Sequence, residues 1–343
     1  MTHPRLCLYY RTAPETDRWL PGDRFVRPLI RRLVRGKPRP GGVDKVFINL
    51  CLGLDKLGIS YEVNLPFHQL RPDDLVGILG RGRNCLNGYA QPNPIVAGIG
   101  LMTHPSEWPT LCDDFPVVKY LQHSEWANNV YKPYFGDRCA IWPVGIDTEK
   151  WKPASEKLKT ETLKAEIETT DFLIYDKVRW EHDRYEGELL QPIRAELKRR
   201  GLTFQEIRYG FYEEEDFRKS LGQVKAMIFL CEHESQGIAY QEALSSGVPM
   251  LAWDQGWCLD PNRFQWGQPE IPATSVPYFD GRCGVKFQGV GEFPARLEEF
   301  LGRLRANALH PRDYILENLT LEKCAQRYLE ILRTASKENH PYQ

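Results

Sequence analysis

The chain has 343 residues, 42% of them hydrophobic, and a formal net charge of −1. That length suits two ordinary domains and that apolar content suits packed cores, so disorder is not the default state. Near-neutral charge argues against a general nucleic-acid binder, and no window of about eighteen apolar residues offers a membrane span.

The cysteines stand scattered at 7, 51, 85, 112, 139, 231, 258, 283 and 324, with no C-x-x-C pair. An odd number, several inside apolar runs, reads as reduced buried thiols in a cytoplasmic protein rather than a disulfide framework. The opening MTHPRLCLYY lacks the long apolar core of a signal peptide. No cluster of metal-ligating residues is visible, so no metal is expected.

Residues 5–10 are predicted as a strand. Residues 11–40 follow with many prolines and little regular pattern. From Arg24 to Arg39 every charge is basic, and Phe25, Val26, Leu29, Ile30, Leu33 and Val34 interleave. That spacing suits an amphipathic helix with a cationic face. Such a face fits an anionic membrane surface or a phosphate-bearing acceptor, and it fits equally a solvated helix packed by its apolar side. Gly41, Gly42 and Val43 then open a helix predicted over 44–57 and closed by Gly58, with Val46, Phe47, Leu50, Leu54 and Leu57 as its apolar stripe. Residues 60–64 resume as a strand, and 73–79 and 94–101 supply further short elements. The segment 102–109 (MTHPSEWP) follows an apolar run, and Gln122-His123-Ser124-Glu125-Trp126 follows a strand at 117–121. His104 and His123 therefore both stand at carboxyl ends of strands, where α/β sheets bind ligands.

Residues 154–170 are highly charged without an apolar run, as a linker is. A strand at 172–175 opens the second half. Lys177, Arg179 and Arg184 follow it, ahead of a helix over 187–200. A strand at 204–209 and an acidic run at 213–216, suited to an exposed helix start, lead to the central stretch. There 226–231 is an apolar strand, 232–237 a polar loop ending in glycine, 238–246 a helix stopped by Gly247, and 249–253 a second strand. This is a βαβ unit of a parallel sheet. Its loop lies at the carboxyl end of the first strand, and the helix behind it points unpaired N–H groups at that place, which favours phosphate. Gly237 lets backbone approach a ligand closely. Glu234 before the helix and Glu242 one turn into it are carboxylate acceptors suited to sugar hydroxyls. Two such acceptors around a phosphate-friendly helix start describe a sugar-nucleotide site. Farther on, 283–287 is a strand, 293–306 an amphipathic helix, and 321–332 a last apolar-periodic segment before a polar tail.

The run Glu234-Ser-Gln-Gly-Ile-Ala-Tyr-Gln-Glu242, continued by Ala-Leu-Ser-Ser-Gly-Val-Pro, resembles the E-x7-E motif of retaining GT-B glycosyltransferases, most closely glycosyltransferase family 4. The resemblance implies an α/β fold of two Rossmann-like domains facing a central cleft, over 1–155 and 156–318, with 319–343 as a helix crossing back to the first domain and a tail. It implies that Glu234 meets the transferred sugar, that the Gln236–Gly237–Ile238 backbone meets sugar and phosphate, and that Glu242 holds the ribose. Arg179 and Arg184 keep the spacing of the family's R-x4-K pair for the donor diphosphate, and Lys177 is an additional cation there. Gly41 and Gly42 resemble the glycine turn of the family's first βα unit, near the donor phosphates and acceptor, although two glycines also suit a plain helix start. A histidine of the first domain, His104 or His123, would reach the donor sugar. AIWPVGID (140–147) with Trp151-Lys152-Pro153 resembles the PNGID segment that ends the first domain. Two departures stand out: Ser235 and Gln236 replace a glycine and an aromatic, and Val144 replaces an asparagine.

The implied activity moves a sugar from a UDP- or GDP-sugar to a hydroxyl on a glycan or glycolipid acceptor, with retention and without a cofactor, in polysaccharide or glycolipid assembly. Glu234, Lys177 and Arg179 would be its catalytic groups. A sugar phosphorylase, a nucleotide-sugar epimerase and a catalytically silent subunit of a glycan-assembly complex are the other readings the motif allows. The expected location is cytoplasmic, with the 24–39 stretch as a contact to the inner membrane face.

Overall fold

The computed structural model describes residues 4–10, 41–153 and 169–339. The basic stretch 24–39, most of the charged segment 154–170 and the end of the tail lie outside them. The chain forms two compact units, one of residues 1–122, 131–140 and 325–343, the other of residues 123–130 and 141–324.

The first unit holds β1 (Leu6–Tyr9), β2 (Tyr61–Val63), β3 (Leu75–Ile78), β4 (Ile95–Gly98), β5 (Val117–Gln122) and β6 (Cys139–Ile141), in the order β2-β1-β3-β4-β5-β6. The pairings from β2 through β5 are parallel, with Leu6 opposite Leu75 and Tyr9 opposite Ile78. All four residues of β1 are buried, as a parallel strand covered on both faces requires. Helix α1 (Gly42–Lys56) buries Val46, Leu50 and Leu54. It starts earlier than the apolar spacing suggests because the Asp44 carboxylate accepts the Gly41 N–H at 2.5 Å, supplying the cap that Gly41 cannot.

In the second unit, helix α2 (Glu125–Phe135) begins within the segment 123–130, and its later turns group with the first unit. The sheet runs β11-β10-β9-β7-β8, all parallel, from β7 (Thr170–Lys177), β8 (Phe204–Arg208), β9 (Val224–Cys231), β10 (Met250–Trp253) and β11 (Gly284–Phe287). Side chains alternate along β9, so that Met227, Phe229 and Cys231 enter one core with Tyr175, Tyr240 and Leu244. Ala226, Ile228 and Leu230 enter the other with Ile193, Leu297 and Phe300. The helices are α3 (Gln191–Arg199), α4 (Glu214–Leu221), α5 (Ile238–Ser245), α6 (Phe293–Arg305), α7 (Pro311–Asn318) and α8 (Leu321–Asn339). From Ala325 onward α8 groups with the first unit. There Gly77 of β3 makes room for it, since a Cβ at that position would lie 2.1 Å from the Tyr328 hydroxyl.

Two features depart from the sequence reading. Strand β7 extends through Lys177, so that residue ends a strand rather than opening a loop. Glu181 then takes a left-handed conformation (φ 48°), and helical turns start at His182 and run through a π turn at Glu186–Leu190 into α3. Arg184 therefore lies on a helix, not in the loop. Between β10 and β11 there is no α-helix: residues 254–283 fold as a long excursion, pinned by Cys258 N–H on the Ile271 carbonyl (2.8 Å) and Ala273 N–H on that of Gly256 (2.9 Å).

None of the nine cysteines forms a disulfide. Among the described residues no helix is long and apolar enough to cross a membrane, and no group of three or more His, Cys, Asp or Glu is placed to hold a metal ion.

Candidate functional site

The site grows from the carboxyl ends of β7 and β9, which are neighbours in register: Asp176 opposes Leu230 and Lys177 opposes Cys231. Leu173–Tyr175 and Ala226–Cys231 are buried apolar runs, so the polar residues gather at the carboxyl ends of the two strands. Past β9 these are Glu232, His233 and Glu234. Past β7 they are Lys177 at the last strand position and Arg179 beyond it.

Lys177 Nζ is ion-paired with Glu234 Oε1, both side chains 11% exposed. Burial is the largest influence and works against the charge on Lys177, but the Glu234 carboxylate, with Cys231 and Tyr209 beside it, raises the ammonium pKa on balance. The ammonium also lies 4.5 Å from the Tyr209 ring centroid. The guanidinium of Arg179 donates to the His233 carbonyl at 3.0 Å, and its Nε is 3.5 Å from Glu232 Oε2. Glu232 Oε1 accepts the N–H groups of Arg179 (2.6 Å) and Trp180 (2.9 Å). That carboxylate is therefore a backbone clamp on the turn after β7. It fixes where Arg179 and Lys177 stand.

Glu234 is held by its peptide as well. Its N–H donates to the Thr274 carbonyl at 3.0 Å, and its carbonyl accepts Trp126 Nε1–H at 2.8 Å. His233, directly before it, is buried between aromatic rings: Trp180 stacks at 5.3 Å and Trp126 meets it edge-on at 5.5 Å. Its Nδ1 accepts the Leu259 N–H at 3.3 Å. Burial, then the nearby Arg179 and Lys177 charges, push its pKa down to about 3, so it is a neutral ring at ordinary pH.

Behind Glu234 the chain turns at Gly237, which is left-handed at φ 79°; a Cβ there would lie 2.0 Å from the Tyr240 ring. No other residue type fits without displacing Tyr240. Helix α5 starts at Ile238 and carries Glu242, 4% exposed, one turn in. It ends in a Schellman motif, with Val248 N–H on the Ala243 carbonyl (3.1 Å) and Gly247 N–H on that of Leu244 (3.0 Å).

Gln236 contributes more than backbone. Its side-chain oxygen accepts the Val144 N–H at 2.9 Å, and its amide donates to the carbonyl of Val144 (3.3 Å) and to Gln241 Oε1 (2.7 Å). The two departures from the family pattern thus meet each other. Because both contacts at 144 are to backbone, valine serves there as well as asparagine.

The structure brings Lys177, Arg179, Glu234, Gln236, Gly237, Ile238 and Glu242 onto one loop-and-helix assembly. Arg184 makes none of these contacts. It is 54% exposed and pairs with Glu188 at 2.9 Å and Glu181 at 3.3 Å along its own helix. Gly41, Gly42 and His104 lie in the first unit. Gly41 stands at the position before α1 and donates its N–H to Asp44, and His104 Nδ1 accepts the Ser106 N–H at 3.2 Å, closing the turn Pro105–Glu107. His123 belongs to the second unit and is 4% exposed. Its Nδ1 donates to the Trp142 carbonyl at 3.2 Å, and among the described residues the buried Nε2 has no hydrogen-bond partner. Burial pushes its pKa down to about 4. Glu232, His233 and Trp126 were missed by the sequence reading. The first two carry a usable signal: they are the first polar residues after the apolar run 226–231. Trp126 carries none, since its partner is over a hundred positions away.

No protein-family model matches the chain, and no curated protein matches it by sequence. Solved structures do resemble it. The Anabaena protein HepE in complex with UDP is 11% identical at a TM-score of 0.55, over 96% of this chain and 100% of that one. TarM of S. aureus, in complex with fondaparinux, alpha-GlcNAc-glycerol and UDP, is 10% identical at 0.52, over 84% of this chain and 58% of that one. The pneumococcal O-GlcNAc transferase GtfA, in complex with UDP and GlcNAc, is 14% identical at 0.51, over 78% of this chain. The chain spans 58% of the length of that GtfA structure. At these identities the likeness is one of fold: two parallel sheets flanked by helices, the α/β architecture of GT-B glycosyltransferases.

Proposed function

We propose that this chain is a glycosyltransferase that moves a sugar from a UDP-sugar to a hydroxyl acceptor, with retention at the anomeric carbon. The observation that carries the reading is the buried Lys177–Glu234 pair beside Arg179, at the carboxyl ends of β7 and β9 and just before the amino end of α5. The E-x7-E resemblance of 234–242 and the UDP bound in the HepE, TarM and GtfA structures support it.

Lys177 and Arg179 face a donor diphosphate together with the unpaired N–H groups of α5. Glu234 is paired with Lys177. A diphosphate arriving at Lys177 displaces that carboxylate and turns it toward the sugar hydroxyls. Glu242 accepts from the ribose hydroxyls. In transfer, the bond from the anomeric carbon to the diphosphate oxygen breaks and a bond to the acceptor oxygen forms. The acceptor's proton passes to the leaving diphosphate, whose charge the two cations stabilise. Polysaccharide or glycolipid assembly is the proposed role. The proposed location is the cytoplasm, with the 24–39 stretch as a contact to an anionic membrane surface; failure to float with anionic liposomes at low salt removes that contact.

Calorimetric titration with UDP and GDP tests the reading. UDP should bind, and Glu242→Ala should weaken it at least tenfold. Glu234→Gln should leave UDP binding equal or tighter, because a competing carboxylate is gone, while transfer from the UDP-sugar collapses. Failure of the wild-type protein to bind any nucleoside diphosphate overturns the proposal.

A further inference from the structure

The excursion 254–283 is the longest irregular segment among the described residues, and ordered loops of that length are usually functional. It folds back on itself and packs Cys258, Ile271 and Ala273 against Trp126, Val130 and Trp266. Between the excursion and the start of α2 lies a cavity of about 470 Å³, within the second unit throughout. That volume falls inside the ~300–1,000 Å³ range of small-molecule sites.

Its lining has a definite chemistry. Trp126, Val130, Ile271 and Pro277 give apolar surface, and Glu125, Asn129, Gln268, Glu270 and Thr274 give hydrogen-bonding groups. Among the described residues no lysine or arginine lines it. An aromatic wall ringed by carboxylates and amides suits a pyranose, whose C–H face lies on the indole while its hydroxyls bond outward. Two carboxylates without a cation repel a phosphate, so the cavity is not a second place for the nucleotide. It is also joined to Glu234. Trp126 and Thr274, both in its wall, hold the two ends of the Glu234 peptide, at 2.8 Å to the carbonyl and 3.0 Å from the N–H. A ligand here would lie next to the residue to which the proposed function gives the transferred sugar.

We propose that this cavity binds the acceptor, and that the acceptor presents an uncharged or amino sugar rather than a phosphorylated one. The word acceptor rests on the proposed function; the sugar site stands on the cavity alone. The test is saturation-transfer NMR on the full chain with glucose, galactose, N-acetylglucosamine and glucose 6-phosphate, beside calorimetric UDP titration of the same samples. Wild-type protein should transfer saturation to at least one neutral sugar and not to glucose 6-phosphate. Asn129→Trp, which fills the cavity from an exposed helical position, should weaken that sugar at least tenfold and leave UDP affinity within twofold. Glu270→Lys should admit glucose 6-phosphate. The inference is overturned if no neutral sugar binds, or if Asn129→Trp binds it as wild type does. If the sugar binds with this pattern while UDP does not, the sugar site stands and the transferase reading falls.

Discussion

At the end of β4 the chain runs through turns to His104, and at the end of β9 it runs to Glu234. Both residues leave a buried strand carrying a polar group, and both are largely shielded from solvent. His104 Nδ1 finds its partner within two residues, accepting the Ser106 N–H and closing a single turn. Glu234 accepts locally from the Cys231 thiol at 3.6 Å, but its charge is met across the sheet by Lys177 on β7, and its peptide is held from α2 and from the excursion after β10. The contrast teaches where to look for function in a fold of this kind. A locally satisfied polar group needs nothing further. A carboxylate held beside a buried ammonium is retained at the cost of desolvating both, and that cost is explained when a ligand takes one partner's place.

The largest effect that can break the contrast comes from Lys177→Met. Removing the ammonium leaves Glu234 buried beside an apolar chain, which should cost about 3–5 kcal/mol in urea unfolding. Adding Glu234→Leu should recover much of that loss. A single variant as stable as wild type would show the pair to be solvated and the contrast to be empty.

Gln236→Ala comes next. It strips partners from both backbone groups of Val144 and from Gln241, each buried, and should cost about 2–4 kcal/mol. Unchanged stability would mean that the clasp between 144 and 236 is not made in solution.

The pH response sharpens the contrast further. The folded-state pKa of His233 is depressed from the ordinary 6.5 to about 3. The sign follows: stability is fully present above pH 6.5 and is lost as pH falls toward 3, because the unfolded chain takes up the proton first. The slope from this group is at most about 1.4 kcal/mol per pH unit. Urea midpoints at pH 7 and pH 5 should therefore diverge less in His233→Gln than in wild type. Equal divergence would place the acid response elsewhere, His123 being the first candidate, since it is depressed to about 4.

Smallest is Arg184→Ala. With its guanidinium exposed and paired along its own helix, its loss should leave both the urea midpoint and the UDP affinity unchanged within error. A tenfold loss of UDP affinity would return it to the phosphate site.

Much of this was legible in order of residues. The strand, loop, helix and strand of 226–253 came from an apolar run, a glycine and a helical spacing, all local signals. Lys177 and Arg179 were legible as cations at the end of a strand because the apolar run 172–175 stops just before them. Arg184 was misplaced because the left-handed turn at Glu181 has no sequence marker: glutamate seldom adopts it, and it started the helix early. The excursion after β10 was not legible as a structure, since its bonds pair Cys258 with Ile271 and Gly256 with Ala273 rather than follow any period.

By itself the sequence determined the alternation of strands and helices, the glycine that precedes the helix after β9, and the identity of the charges at the strand ends. These follow from backbone geometry and side-chain spacing, which act over a few residues. Tertiary structure alone decided which charge meets which. It set Lys177 on Glu234 and Glu232 on the turn at Arg179, tied Gln236 to Val144, and built a cavity from α2 and the excursion. Those pairings are fixed by sheet order and by the requirement that buried polar groups find partners, and neither is written in the spacing of residues along the chain.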